Sequence, residues 1–110
     1  MSSGNESLAQ QVIHWVCRKV LTEEWKPGDA MDERQISAQL EMNPNLIHTA
    51  FDALLKNGLA VHQSSRLLVA DNAKAAAQEL LRKHFFEYEL PVLQDKLKLL
   101  NISLQDLSKS

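Results

Sequence analysis

The tripeptide Asn43-Pro44-Asn45 constrains this chain more than any other feature, because it sets where a helix must begin. Asn43 offers a side-chain acceptor for the cap, and Pro44 at the first helical position gives up no useful N–H. The segment that follows places Ile47, Ala50, Phe51, Leu54 and Leu55 at i, i+3, i+4, i+7 and i+8, one buried stripe of a helix. Gly58 is placed to end it as a left-handed residue. Beyond it, Leu59 and Val61 alternate with Ala60 and His62, and Leu67 and Val69 flank Leu68. With Gln63-Ser64-Ser65-Arg66 between them, these two runs predict a small β-hairpin.

Upstream, Leu8, Val12, Val16 and Val20 form a helical stripe widened by Ala9, Ile13 and Leu21, with Ser7 as its cap. The pattern stops at Trp25-Lys26-Pro27-Gly28-Asp29, where Pro followed by Gly predicts a type II turn. Ala30-Met31 reads as a short extended piece, and Asp32 caps a second helix that carries Ile36 and Leu40 inward. The order helix, helix, tight turn, helix, hairpin is that of a mainly α, winged helix-turn-helix unit. Residues 1–6 are small and polar and are expected to be disordered; the winged unit is assigned to residues 7–72.

Residues 73–110 are expected to be a helical dimerisation segment. Asp71 or Asn72 caps a long helix bearing Ala73, Ala76, Ala77, Leu80, Leu81, Phe85 and Tyr88 in register. Pro91 is expected to break or kink it, since its ring clashes with the carbonyl four residues back. Leu93, Leu97 and Leu100 continue the face, Asn101 suits a left-handed C′ position, and Ser103 can cap a last helix holding Leu107. A tail of roughly 40 residues is too small to enclose its own core. Its apolar stripe must pack on the winged unit or on another subunit. Phe86 lies about 100° round the helix from Phe85, giving this segment two apolar faces. Ala77, Leu80, Leu81, Phe85, Phe86, Tyr88, Leu93, Leu97 and Leu100 are therefore the expected dimer interface, with a ligand pocket at that interface left open.

Composition narrows the function classes. A chain of 110 residues supports one modest core, and a formal net charge of -2 excludes a globally basic nucleic-acid coat protein. No apolar run approaches the roughly 20 residues of a membrane helix. The start MSSGNES lacks the basic and apolar regions of a secretory signal, so a soluble, cytoplasmic protein without a membrane partner is expected. The single Cys17 can form neither an internal disulfide nor a C-x-x-C metal site and reads as a semi-buried, inert thiol. His14, His48, His62 and His84 contain no i, i+4 pair, so no metal is expected. Glu23-Glu24, and Glu87 with Glu89, lack a catalytic partner in any recognisable arrangement, and there is no Gly-rich phosphate loop. The expectation is a non-enzyme without a cofactor.

The stretch Glu33 to Leu40 (ERQISAQL) followed by NPNLIHTAFDALLKNGLA resembles the DNA-binding domain of GntR-type bacterial transcriptional regulators. Pro27-Gly28-Asp29 resembles the Pro-Gly turn before that family's second helix. The Asn-Pro-Asn start of the third helix, and the tail LQDKLKLLNISLQDLSK, resemble the YtrA subfamily with its short two-helix extension. The match runs without evident gaps from Trp25 to Leu59. This resemblance implies a homodimeric repressor on a palindromic operator, with one recognition helix per half-site, half-sites about 34 Å apart and the tail setting that spacing. It implies further that Arg34 contacts DNA from the second helix and that His48 and Thr49 lie where the family presents an arginine. Gln63, Ser64, Ser65 and Arg66 occupy the place of a Gly-rich wing in the minor groove. Gln35, Gln39 and Asn45 can read adenine edges, and Asn43, first a cap, joins the candidates. A small-molecule effector is left open.

The chain departs from the family pattern in charge. The third helix has no arginine, its lysine Lys56 is at the far end, and the wing has no glycine. Residues 30–70 hold three cations, Arg34, Lys56 and Arg66, against the four carboxylates of Asp32, Glu33, Glu41 and Asp52. A winged-helix module that works by protein–protein contact, with weak or lost DNA binding, is the alternative.

Overall fold

The computed structural model describes residues 7–108, so the expectation for residues 1–6 lies outside the described residues. Three helices of the winged unit begin where a side chain can hold a first-turn amide. Ser7 Oγ accepts from Gln10 N–H at 3.1 Å and starts α1 (Leu8–Leu21). Asp32 Oδ1 accepts from Arg34 N–H at 2.9 Å and starts α2 (Glu33–Leu40). Asn43 Oδ1 accepts from Asn45 N–H at 2.8 Å and starts α3 (Pro44–Lys56). Helix α1 ends at Leu21, the last residue of its apolar stripe. The Thr22 hydroxyl and N–H both donate to the Arg18 carbonyl, at 2.7 and 2.9 Å, and close the last turn. The chain then turns at Pro27-Gly28, where Asp29 N–H donates to the Lys26 carbonyl at 2.9 Å and Gly28 has φ +90°, the type II geometry.

That turn delivers a strand. β1 (Ala30–Met31) pairs antiparallel with β3 (Arg66–Val69), which pairs with β2 (Ala60–Gln63), giving the order β1-β3-β2. A lone hairpin is marginal in water, and the third strand anchors the wing to the helices. The register pairs Ala60 with Val69 and His62 with Leu67, so these residues share one face with Met31. Ala60, Leu67, Val69 and Met31 are buried, whereas Val61 points outward and is 46% exposed. The hairpin is tighter than expected, since Gln63 and Arg66 form its last rung and only Ser64-Ser65 turn the chain.

Val12, Val16, Cys17, Ile36, Ile47, Leu54, Leu59 and Val69 form a core essentially without solvent contact. Burying each large aliphatic side chain of this kind contributes about 1.5–3 kcal/mol. The next helix, α4 (Ala73–His84), completes that core, because Ala73 and Ala77 are fully buried within the chain. Ala77 therefore has no exposed surface in the single chain to offer to a second copy. A boundary after residue 72 would also divide one hydrophobic core. Asn72 makes no side-chain cap bond, so the expected cap is absent and its carbonyl alone receives Ala76 N–H at 3.0 Å.

Beyond α4 the helix neither breaks nor stays regular. Phe85–Glu89 is a π turn in which the Phe85 carbonyl accepts from Leu90 N–H, and α5 (Leu90–Leu100) follows directly. Widening the turn next to Pro91 accommodates its ring without ending the helix. Asn101, at φ +56°, closes α5 in a Schellman motif, with Ile102 N–H donating to the Leu97 carbonyl at 2.9 Å. Ser103 and Asp106 cap α6 (Leu104–Ser108) reciprocally: Asp106 N–H donates to Ser103 Oγ at 3.3 Å and Ser103 N–H to Asp106 Oδ2 at 2.8 Å. The tail projects. The radius of gyration is 16.5 Å and the long axis 54 Å, against about 13 Å for a compact domain of this length.

Candidate nucleic-acid interface

The link from α2 to α3 is three residues long. Glu41 takes the left-handed conformation at φ +54°, Met42 N–H donates to the Ser37 carbonyl at 3.1 Å, and the Ser37 hydroxyl donates to the Met42 carbonyl. Helix α3 turns Ile47, Ala50, Phe51 and Leu54 into the core and leaves Asn45, His48 and Thr49 exposed. Leu55 is only half-buried, at the edge of the core. Arg34 and Gln35 are exposed on the first turn of α2, as is Gln39 near its end. Gln63, Ser64, Ser65 and Arg66 are all exposed at the tip of the wing, where Ser64 has φ +59°.

Local bonds already engage several of these side chains. The Asn43 oxygen is used as the α3 cap, and the Thr49 hydroxyl donates back to the Asn45 carbonyl at 3.1 Å. The wing is a minimal turn, so its reach beyond the strands is short. His48 Nδ1 lies 2.8 Å from Glu33 Oε2, which holds the first turn of α2 beside the second turn of α3. That hydrogen bond, then the charge of Glu33 and, less, of Asp52, pushes the His48 pKa above its ordinary value. The contact thus favours the imidazolium form of His48 relative to a free imidazole, on the outer face of α3. Glu33 was not among the expected site residues. It lies 15 positions from His48, a separation that no helical periodicity reveals.

Along the tail, Phe85, Phe86, Tyr88, Leu93 and Leu100 are exposed in the single chain, as are Val92, Leu99, Leu104 and Leu107. Leu80, Leu81 and Leu97 are half-buried. Arg82 lies over the Phe86 ring at 5.7 Å, and the Phe85 and Phe86 rings meet edge-on at 5.4 Å. The tail also bounds a groove of about 660 Å³ against α1, lined in part by the same Tyr88, Val92 and Leu93. Here His14 and His84, 70 positions apart in sequence, bring their rings within 4.5 Å. Cys17 is fully buried rather than semi-buried, and burial pushes its thiol up to about 12. Among the described residues no group of three His, Cys, Asp or Glu is placed to hold a metal ion. Nor is any helix among them long and apolar enough to cross a membrane.

The elements and their order define a winged helix-turn-helix protein with a helical tail. Solved structures with the same fold include a GntR family transcriptional regulator from Listeria monocytogenes, with a TM-score of 0.71 at 15% identity, covering 96% of this chain and 93% of that one. S. agalactiae BusR in complex with its promoter DNA matches at a TM-score of 0.71 and 14% identity, over 86% of this chain and 46% of that one. YtrA from Sulfolobus acidocaldarius, a GntR-family transcription factor, matches at 0.56 and 19% identity, over 96% and 85% of the two chains. No protein-family model and no curated protein matches the sequence.

Proposed function

We propose that this chain is a sequence-specific, DNA-binding transcriptional regulator of the GntR type, with a YtrA-like short tail, and not an enzyme. It acts in the cytoplasm as a homodimeric repressor on a palindromic operator. The observation that carries the reading is that the likeness to GntR-type regulators extends beyond the winged unit into the tail. BusR, of the same fold, is bound to promoter DNA. Helix α3 enters the major groove by its first two turns, with Asn45, His48 and Thr49, and Gln35 from α2, toward base edges, while Arg34 meets the backbone and the Gln63–Arg66 tip meets the minor groove. Asn43 acts by fixing the start of α3. The exposed Phe85, Phe86, Tyr88, Leu93 and Leu100, with the half-buried Leu80, Leu81 and Leu97, pair two copies and so set the half-site spacing. Nine exposed large hydrophobics on one projecting tail segment are what a single chain in water avoids and a dimer covers.

The charge balance favours a second reading. Three cations against four carboxylates across residues 30–70 suit a winged module that docks on protein. Selection of bound duplexes from a random library separates the two. Enrichment of an inverted repeat with half-site centres about 10 base pairs apart supports the regulator. Recovery of no motif, with the protein folded and dimeric, supports the protein-docking module.

A further inference from the structure

The groove between α1 and the tail has the make-up of a small-molecule site. One wall is a single stripe of α1, with His14, Trp15 and Arg18; the other is the tail, with His84, Tyr88 and Lys96; Leu40 and Met42, at the end of α2, also line it. Its volume of about 660 Å³ falls within the range of roughly 300–1,000 Å³ typical of ligand sites. Four lining residues carry rings, with His84 lying 4.5 Å from His14 and 5.2 Å from Tyr88 between centroids, and Val92 and Leu93 add aliphatic surface on the tail wall. Each wall contributes one cation, and neither Arg18 nor Lys96 has an ion-pair partner among the described residues. Among the described residues the lining holds one carboxylate, Glu89, whose Oε2 lies 3.5 Å from His84 Nε2.

The π turn builds this arrangement. On an α-helix, residues five apart point about 140° away from each other, so His84 and Glu89 would not meet. Winding Phe85–Glu89 as a π turn brings them to one side, where Glu89 meets His84 rather than either cation among the described residues. Turns of this kind are rare and are frequently kept at functional sites.

We propose that the groove binds a small molecule made of a planar aromatic ring bearing an anionic group, carboxylate or phosphate, with the ring between the aromatic walls and the anion between Arg18 and Lys96. Stacking and cation–π contacts favour a flat ring, and two cations on facing walls, without an ion-pair partner among the described residues, favour an anion held between the walls. Binding itself does not depend on the DNA-binding reading. On that reading, the site lies at the joint between the α2–α3 unit and the dimerising tail, where an occupant biases the angle between them.

Isothermal titration calorimetry on the full chain tests this, with indole-3-acetate as the carboxylate probe and adenosine monophosphate as the phosphate probe. Indole (a ring without charge) and acetate (a charge without a ring) are the controls. The expected result is saturable binding of one ring-bearing anion, at one per chain, at least tenfold tighter than either control. Which probe binds identifies the anionic group. Arg18→Ala and Lys96→Ala each weaken binding tenfold or more, whereas Lys98→Ala, outside the groove, leaves it unchanged. Three results overturn the proposal: silence with both probes at millimolar concentration, equal affinity for indole, or binding that survives the Arg18→Ala/Lys96→Ala double variant. The first of these, accompanied by weaker self-association of those variants in sedimentation, would show that a second copy fills the groove.

Discussion

Asn43 separates structural work from recognition, and its removal has a calculable effect. The first turn of α3 has no unpaired donor. Pro44 has no N–H, Asn45 N–H is held by Asn43 Oδ1 at 2.8 Å, and the amides of Leu46 and Ile47 reach the Asn43 carbonyl at 3.0 and 3.3 Å. Asn43→Ala leaves the backbone bonds and frees only Asn45 N–H, which is exposed and passes to water. The cost is then that of a lost cap, about 1 kcal/mol, without the larger penalty of a buried unsatisfied donor. With a urea m-value of roughly 1–2 kcal/mol/M, the unfolding midpoint falls by about 0.5–1 M. The transition should be followed by circular dichroism at one fixed protein concentration, because self-association shifts apparent stability. Asn43→Ser, which restores a capping oxygen, regains most of the loss and keeps DNA affinity. The reasoning is refuted if Asn43→Ala lies within about 0.3 kcal/mol of the parent, or if the serine variant is no better than alanine. A stable serine variant that no longer discriminates operator sequence would make Asn43 a base reader after all.

Four further outcomes follow from the same geometry. Arg34→Ala should weaken operator binding across all sequences and reduce the salt slope by about one unit; an unchanged slope would remove α2 from the backbone contact. Glu33 raises the His48 pKa, so Glu33→Gln should lower the value measured by NMR titration. The pair's contribution to stability is full below about 6.5, the unfolded histidine value, and is lost as pH rises through the raised folded one; a His48 titration indifferent to Glu33→Gln would contradict the contact. With its thiol near 12, Cys17 should resist Ellman's reagent at pH 8 until denaturant is added, and rapid reaction in the folded state would contradict its burial. Phe86→Glu and Leu100→Glu, at positions 54% and 66% exposed, should convert dimer to monomer in sedimentation while leaving the single-chain circular dichroism intact; a persisting dimer would move the interface elsewhere.

What could be read in the sequence is what depends on near neighbours. Ser7, Asp32 and Asn43 cap their helices because a capping bond spans two or three residues. Gly28, Gly58 and Asn101 sit where a positive φ is needed. The stripe of α3 is buried because its period matches the helix, with Leu55 half-exposed at its edge. What could not be read depends on distant chain segments meeting. The hairpin pattern of Leu59 and Val61 does not say which face is inward; pairing of β3 with β1 decides that Ala60 is buried and Val61 is not. Ala77 carries a small side chain that suits either a subunit seam or a close helix crossing, and only the packing of α4 on α1 shows the latter. Pro91 announces a disturbance but not its form, since a break, a kink and a π turn all relieve the same clash. The Glu33–His48 and His14–His84 contacts of the two candidate sites join positions that no local rule connects.

The central claim, that this sparsely charged winged unit grips DNA, is tested most directly by fluorescence anisotropy. The duplex is taken from immediately upstream of the protein's own gene and titrated from about 50 to 200 mM salt with competitor DNA present. If Arg34 and Arg66 each meet one phosphate per half-site, a dimer makes four such contacts, and the logarithm of affinity falls against the logarithm of salt with a slope of about −3.6. Saturable, competitor-resistant binding with that slope is the predicted result. No saturable binding at about 50 mM salt, where electrostatic contacts are strongest, would contradict the account and leave the protein-docking module as the function of this fold.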